Sequence, residues 1–356
     1  MTDVMQTASG ANGAAAGELL QVEGLSKYFP ITKGFLRRVI GFTKAVHDVS
    51  FTLANGETLG VVGESGCGKT TLGRTILRLY DMTAGFVRIN LDEGQLDVGS
   101  LTPEERKLFR RRAQMIFQDP FASLNPRMNI LETVGEPLLV NGVAKGTELE
   151  QRVARIIEQV GLRVEHLRRY PHSFSGGQRQ RIGIARALVV NPRLVIADEP
   201  VSALDVSIQA QILNLLQDLQ QEFHLTYMFV SHDMSVIRYI CDRIAVMYAG
   251  RLVELGPKDE LLDRPRHPYT ALLLAAVPRT AKGSRGKRLV TAGEPPDPSN
   301  LPTGCVFQER CVHVQDICRE EDPPQVSMSD RHFAACHFAK DLSLDGITVA
   351  PVTLST

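Results

Sequence analysis

The stretch Gly63-Glu64-Ser65-Gly66-Cys67-Gly68-Lys69-Thr70-Thr71 fits the phosphate-loop pattern G-x-x-x-x-G-K-[ST]. An apolar run, Leu59 to Val62, precedes it, and a helix-compatible stretch, Leu72 to Tyr80, follows. Gly63, Gly66 and Gly68 let backbone N–H groups curl around a phosphate without Cβ clashes, and Ser65 lies in the same cradle. The helix N-terminus adds orphan donors and a dipole that favours anions. In such a loop Lys69 reaches the β- and γ-phosphates, Thr70 offers a hydroxyl to Mg²⁺, and Thr71 faces the α-phosphate.

Hydrolysis needs carboxylates as well. Leu194 to Ala197 is a fully apolar run closed by Asp198-Glu199. There Asp198 can hold Mg²⁺, and Glu199, one residue on, can polarise the attacking water. An acidic pair after a strand is more often a turn or a cap; beside a phosphate loop the balance reverses. Gln118 ends the short strand Met115 to Phe117 and can bind Mg²⁺ or the water, while His232 follows the strand Thr226 to Val230 and can contact the γ-phosphate. A lone Gln or His in such a place is usually structural.

Two further groups stand out. Ser175-Gly176-Gly177-Gln178 opens a helical run, Arg179 to Val190, which Asn191-Pro192 stops. Of six cysteines, Cys305, Cys311, Cys318 and Cys336 crowd together with 5, 6 and 17 residues counted between them, whereas Cys67 and Cys241 stand alone as a loop filler and a small apolar residue. Four thiolates suit zinc or an iron–sulfur cluster, and zinc modules more often use closer pairs, which leans weakly against zinc. With a nucleotide site and no export signal, a metal outranks disulfides. Nucleotide chemistry is expected to sit apart from this segment.

The elements that must position these groups alternate between strand and helix, which indicates a mostly parallel α/β sheet. Short strands are read at Leu19 to Val22 and Val49 to Leu53, with Asn55-Gly56 as a hairpin-type turn before the Leu59 run. Glycine-punctuated helical spacing between Asp119 and Phe174, clearest at Glu150 to Val160, marks an inserted helical subdomain. A helix from about Ser207 to Glu222 follows, then Ile244 to Met247 and Arg251 to Leu255 as a terminal hairpin, and a short helix, Ala271 to Val277. Lys33 to Arg38 reads as a solvated basic loop, and Lys282 to Arg288 as a linker.

Length and composition bound the rest. At 356 residues the chain holds one large domain plus an appendage. Forty basic residues balance forty acidic ones, so no global charge points to nucleic acid. No apolar stretch reaches the roughly 18 residues needed to cross a bilayer. The chain itself is therefore expected to be soluble, with a disordered tail at Met1 to Gly17 in place of a signal peptide.

Taken together, Gly63 to Thr71, Gln118, Phe174-Ser175-Gly176-Gly177-Gln178, Leu194 to Glu199, Ser202-Ala203-Leu204-Asp205 and His232 resemble an ABC transporter nucleotide-binding subunit over roughly residues 18 to 258. The resemblance implies a P-loop ABC ATPase core with an antiparallel β subdomain and a helical subdomain at about 119–190, then a helix and linker at 259–300, a cysteine-rich extension at 301–340 and a tail at 341–356. It makes Ser175, Gly176, Gly177 and Gln178 the signature loop that meets ATP held by an opposite subunit, and Asp205 part of the loop joining the two sites. Phe29 aligns best with the adenine-stacking aromatic, with Tyr28 as its alternative. Phe174 stands where many families have Leu.

Phe117-Gln118-Asp119-Pro120, Ser123-Leu124-Asn125-Pro126 and Arg266-His267-Pro268-Tyr269-Thr270 are similar to importer ATPases of the dipeptide and oligopeptide type. That implies ATP and Mg²⁺, a second ATPase subunit, two transmembrane permease subunits, an extracytoplasmic binding protein, and a place on the cytoplasmic face of the membrane. Phe121 to Arg127 becomes the candidate docking segment. In this family four cysteines of a C-terminal extension hold a 4Fe-4S cluster; here Val312 replaces a proline often found after the second. Nickel or glycoside import, and a soluble non-transport ABC ATPase, are the alternatives, the last opposed by a single phosphate loop and no sustained heptads.

Overall fold

The computed structural model describes residues 17–35, 38–276 and 294–344. The expectations for residues 1–16, for the Lys282–Arg288 linker and for the tail from 345 onward lie outside them.

Strands β1 (Glu18–Lys33) and β2 (Arg38–Ala54) pair antiparallel and run far beyond the short segments read from apolar alternation. Near the core Leu20, Val22, Leu25, Val49 and Leu53 are buried, but Val39, Ile40 and Phe42 toward the tip are exposed. The apolar pattern therefore fades where the hairpin leaves the body; of the basic stretch, Lys33 and Arg38 pair across it, and residues 36–37 lie outside the described ones.

Wholly buried β3 (Thr58–Val62) leads into the phosphate loop and α1 (Lys69–Ile76). Gly56 does turn with φ 75°. It joins no hairpin, however, because β2 and β3 belong to different sheets. Two strands with no counterpart among the expected elements, β4 (Ala84–Leu91) and β5 (Gly94–Asp97), complete the antiparallel sheet in the order β2-β1-β4-β5.

Helix α2 (Pro103–Arg112) starts at a capping box, with Thr102 accepting from the Glu105 N–H and Glu105 returning to the Thr102 N–H, and with Pro at its first position. After β6 (Ala113–Ile116) come the inserted helices α3 (Ile130–Val140), α4 (Gly146–Gln159) and α5 (Gly176–Leu188). The alternating α/β run then resumes with β7 (Leu194–Asp198), α6 (Val206–Phe223), β8 (Thr226–Ser231), α7 (Met234–Ile240) and β9 (Arg243–Tyr248).

In the second sheet β3 pairs parallel with both β8 and β9, β8 with β7, and β7 with β6. Their carboxyl ends thus fall on one edge, where open α/β sheets place their ligands. The strands β3, β7, β8 and β9 are buried along their whole lengths, which explains their continuous apolar runs.

Strand β10 (Arg251–Pro257) turns back on β9 as expected, but it does not end the sheet. Helices α8 (Lys258–Asp263), α9 (Pro268–Ala275) and α10 (Ile317–Glu320) intervene, and then β11 (Gln325–Ser329) and β12 (His332–Ala335) add to it, giving the order β11-β12-β10-β9-β3-β8-β7-β6. The terminal-hairpin expectation fails because the cysteine-bearing segment returns to cover the β10 edge. Among the described residues no helix is long and apolar enough to cross a membrane.

Candidate active site

A cleft of about 420 Å³ opens at the carboxyl edge of the parallel strands. Ser65, Gly66, Gly68, Lys69, Thr70 and Thr71 line it from the loop and the start of α1; Gln118, Glu199 and His232 reach it from beyond β6, β7 and β8. Gly63 and Gly68 have φ 154° and 107°, and a Cβ there would lie 2.2 Å from the Met247 carbonyl oxygen and 2.1 Å from that of Ala45. Only glycine lets the loop pass so close to other backbone. Lys69 is 5% exposed, and its Nζ donates to the Gly63 and Glu64 carbonyls at 2.7 and 2.9 Å.

Thr70 Oγ1 donates to Asp198 Oδ1 at 2.8 Å, which brings the hydroxyl and carboxylate expected to share a cation into direct contact. Asp198 is 1% exposed and its Oδ2 is buried without a hydrogen-bond partner. Burial raises its pKa, with the Thr70 hydrogen bond opposing. A buried orphan carboxylate oxygen beside a hydroxyl is a donor set that fits a small hard cation such as Mg²⁺.

One residue further, Glu199 takes φ 45°, a left-handed conformation costing about 1–2 kcal/mol in a residue with a Cβ. Its N–H donates to Val230 O at 3.0 Å, holding the turn to the neighbouring strand. The side chain then lies between two others: Oε2 accepts from Gln118 Nε2 at 2.9 Å, and Oε1 is 3.2 Å from His232 Nδ1. Two residues far apart in sequence, Gln118 and His232, thus converge on one carboxylate.

The remaining expected groups lie outside this cleft. Phe29 sits edge-on to Tyr80 at 5.4 Å, with the Lys27 ammonium 4.9 Å from its ring centre, while Tyr28 hydrogen-bonds His47 through its hydroxyl. Ser175 caps α5 in a reciprocal box with Gln178, which is why that helix starts at Gly176 rather than at Arg179. Its side chain is exposed, and neither it nor Gly176, Gly177 or Gln178 lines the cleft of its own phosphate loop. Asp205 is the N-cap of α6, and its carboxylate makes no capping hydrogen bond.

Cys305, Cys311, Cys318 and Cys336 line a single pocket together with His267 and Phe307, and all four are free thiols. Burial pushes the Cys305 thiol up to about 12, with the charges of the other three adding to the shift, and pushes Cys336 up to about 11. Among the described residues no group of three or more His, Cys, Asp or Glu is spaced to hold a single metal ion.

The expected separation of this segment from nucleotide chemistry does not hold. Between Cys305 and Cys311, Arg310 donates through both terminal nitrogens to Glu64 of the phosphate loop, at 2.8 and 2.9 Å. Tyr269 of α9 accepts from the Glu64 N–H at 2.8 Å. Sequence reasoning missed both contacts, along with Ala45, which also lines the cleft. Tyr269 lay within a quoted motif; nothing local to Arg310 marks it.

Residues 46–202 match the family described as ABC transporter, and residues 253–318 match the oligopeptide/dipeptide transporter C-terminal region. The chain is 53% identical over 322 residues to the oligopeptide transport ATP-binding protein AppF of Bacillus subtilis (strain 168), covering 90% of this chain and 97% of that protein. It belongs to the ABC transporter ATP-binding subunits.

Within the family it is also 44% identical over 322 residues to the di/tripeptide transport ATP-binding protein DppF of Pseudomonas aeruginosa, covering 90% of this chain and 98% of DppF. A solved dimer of the ATP-binding cassette MJ0796 with ADP and phosphate superposes with a TM-score of 0.58 at 29% identity, covering 67% of this chain and 99% of that one. The chain is therefore an ABC ATPase subunit of the oligopeptide/dipeptide importer type, with the P-loop α/β fold of that family.

Proposed function

We propose that this ABC ATPase drives uptake of di- or oligopeptides by hydrolysing ATP at the cleft between the phosphate loop and Glu199. The observation that carries the chemistry is the convergence of Gln118 and His232 on the Glu199 carboxylate, next to the Thr70–Asp198 contact. Glu199 accepts a proton from water as the water oxygen attacks the γ-phosphorus; the bond from that phosphorus to the β–γ bridging oxygen breaks, and ADP leaves with its electron pair. His232 contacts the γ-phosphate, Gln118 orients the water and senses the occupied site, and the loop from Gly63 to Thr71 cradles the phosphates. Phe29 stacks on the adenine. Thr70, Asp198 and Gln118 hold Mg²⁺, which neutralises charge on the phosphate oxygens.

The exposed Ser175 and the N–H groups of Gly176 and Gly177 at the start of α5, with Gln178 closing the cap, suit a γ-phosphate bound by a second ATPase subunit, since none of them lines its own cleft. Asp205 lies in the connection between the two sites. Phe121, 64% exposed, and the following residues to Arg127 dock on two transmembrane permease subunits at the cytoplasmic face of the membrane, which an extracytoplasmic binding protein supplies. A cleft of about 970 Å³ that includes Arg74, Gln118, Asp119, Ser123 and Arg186 adjoins this segment.

Cys305, Cys311, Cys318 and Cys336 hold a 4Fe-4S cluster in a 301–340 extension. What supports this reading is that all four cysteines line one pocket, the number of thiolates such a group takes. It supplies a covalent staple for the extension.

Co-expression with the membrane subunits and reconstitution into liposomes tests the reading. ATP turnover should rise, and labelled peptide should enter, when peptide-loaded binding protein is added. Uptake of nickel or a glycoside in place of peptide would overturn the cargo, and no association with any membrane subunit would overturn the transport role.

A further inference from the structure

Glu64, the first variable residue of the phosphate loop, is held from three sides. Its carbonyl accepts from Lys69 Nζ at 2.9 Å, its N–H donates to the Tyr269 hydroxyl at 2.8 Å, and its carboxylate receives both arms of Arg310. Two of these three restraints come from the chain beyond the parallel core, with Arg310 246 residues away in sequence.

The Arg310 side chain is 8% exposed and that of Glu64 30%, so the pair is partly screened from water and its parallel geometry is the stronger form of a charge-assisted hydrogen bond. Arg310 is in turn fixed by what surrounds it. It ends a short turn, Gln308–Arg310, whose neighbour Phe307 packs against Tyr248 and Tyr269 with ring centres 5.2 and 5.5 Å apart. Arg310 also donates to the Tyr248 hydroxyl at 3.3 Å. Cys305 and Cys311 bracket the turn, and the Cys305 N–H donates to the Cys318 carbonyl at 2.8 Å. From the cysteine pocket to the lysine of the phosphate loop the contacts are continuous.

We infer that Arg310 is a positioning residue for nucleotide binding, through which the cysteine-bearing segment sets the affinity of the phosphate loop for ATP. It acts in two ways. It fixes the residue whose carbonyl holds Lys69, and it neutralises a carboxylate one peptide from the phosphate cradle. Unpaired, Glu64 would repel the triphosphate and leave the loop free to rearrange. The inference rests on the ATP-binding reading of this site.

The test measures equilibrium binding of ATP to the purified chain, carrying Glu199→Gln to prevent turnover, in an Arg310 and Glu64 double-mutant cycle. Arg310→Ala should weaken binding about tenfold, and Glu64→Gln by less. Adding Glu64→Gln to Arg310→Ala should recover part of the loss, because the repelling charge is gone. A residue that merely docks the extension would give no such recovery. Binding by Arg310→Ala within twofold of its parent, or losses that simply multiply in the double variant, would overturn the inference. Should Arg310→Ala fail to fold, Arg310→Lys carries the test: it keeps the charge but not the two-armed bond, and it should bind ATP more weakly than the parent and more tightly with Glu64→Gln added; affinity equal to the parent refutes. A parent that does not bind ATP would refute the proposed function instead.

Discussion

Glu199→Gln separates binding from chemistry, and the hydrogen-bond pattern predicts how cleanly. In the parent, Oε2 accepts from the Gln118 amide and Oε1 faces His232 Nδ1 at 3.2 Å. A glutamine of the same shape keeps both contacts if its oxygen turns to Gln118 and its NH₂ to a neutral His232 that accepts at Nδ1. The backbone turn at φ 45° is retained because its N–H bond to Val230 does not involve the side chain. What disappears is the basic oxygen. Loss of a positioned general base costs roughly 10² to 10⁴ in rate, about 3–5 kcal/mol on the barrier. ATP affinity should stay within about threefold, because the phosphate loop and the Thr70–Asp198 pair are untouched. Turnover measured by phosphate release, with binding measured separately by fluorescent nucleotide, checks both halves. A rate within tenfold of the parent would refute the base assignment, and a matching loss of affinity would show that Glu199 holds the nucleotide.

Ser175→Arg should abolish hydrolysis while each chain still binds ATP, because the added cation occupies the place of a neighbour's γ-phosphate; an ATP-dependent dimer in sedimentation would contradict that. Protein made and kept without oxygen should carry inorganic sulfide and broad visible absorption that vanish when any of Cys305, Cys311, Cys318 or Cys336 becomes Ser. Stoichiometric zinc without sulfide would reject the cluster, and no metal would reject both readings. Glu254→Ala should loosen the C-terminal strands by about 3–5 kcal/mol, since Glu254 is fully buried and accepts from the Arg266 and His267 N–H groups and from His332, each at 2.9 Å. Amide exchange across β10 and β12 measures this, and unchanged protection there would refute it.

The phosphate loop and the Asp198-Glu199 pair were legible because their chemistry is local: glycines where backbone must approach backbone, acids where a buried strand ends. Gln118 and His232 were readable as strand-end residues, and parallel pairing of β6, β7 and β8 explains why three such ends meet. The long β1–β2 hairpin was not legible, since exposed Val39, Ile40 and Phe42 break the alternation that marks a half-buried strand. Helix α2 was readable but unread: Thr102-Pro103-Glu104-Glu105 carries both its cap and its first-turn proline. Asn55-Gly56 gave the turn correctly and its partner strands wrongly, because a turn signal does not say which sheet the next strand joins. The Arg310–Glu64 pair has no local signature at all, and β12 meets β10 through only the Glu254–Ala334 and Leu255–Phe333 partners.

That last pairing bears on how the chain is made. Synthesis delivers the phosphate loop and every parallel strand first, yet the outer side of β10 waits for residues 333 and 334 to leave the ribosome. Until then Leu252, Val253 and Leu255 sit on a bare strand whose free N–H and C=O groups can template pairing between copies. Arg331, in the β11–β12 turn, then clasps Glu57 just before β3, so the last strands to arrive fasten onto the start of the first parallel strand. A fragment cut after β10 would contain every residue that lines the cleft, would lose Tyr269 and Arg310 that hold Glu64, and would lack the border that keeps such copies apart.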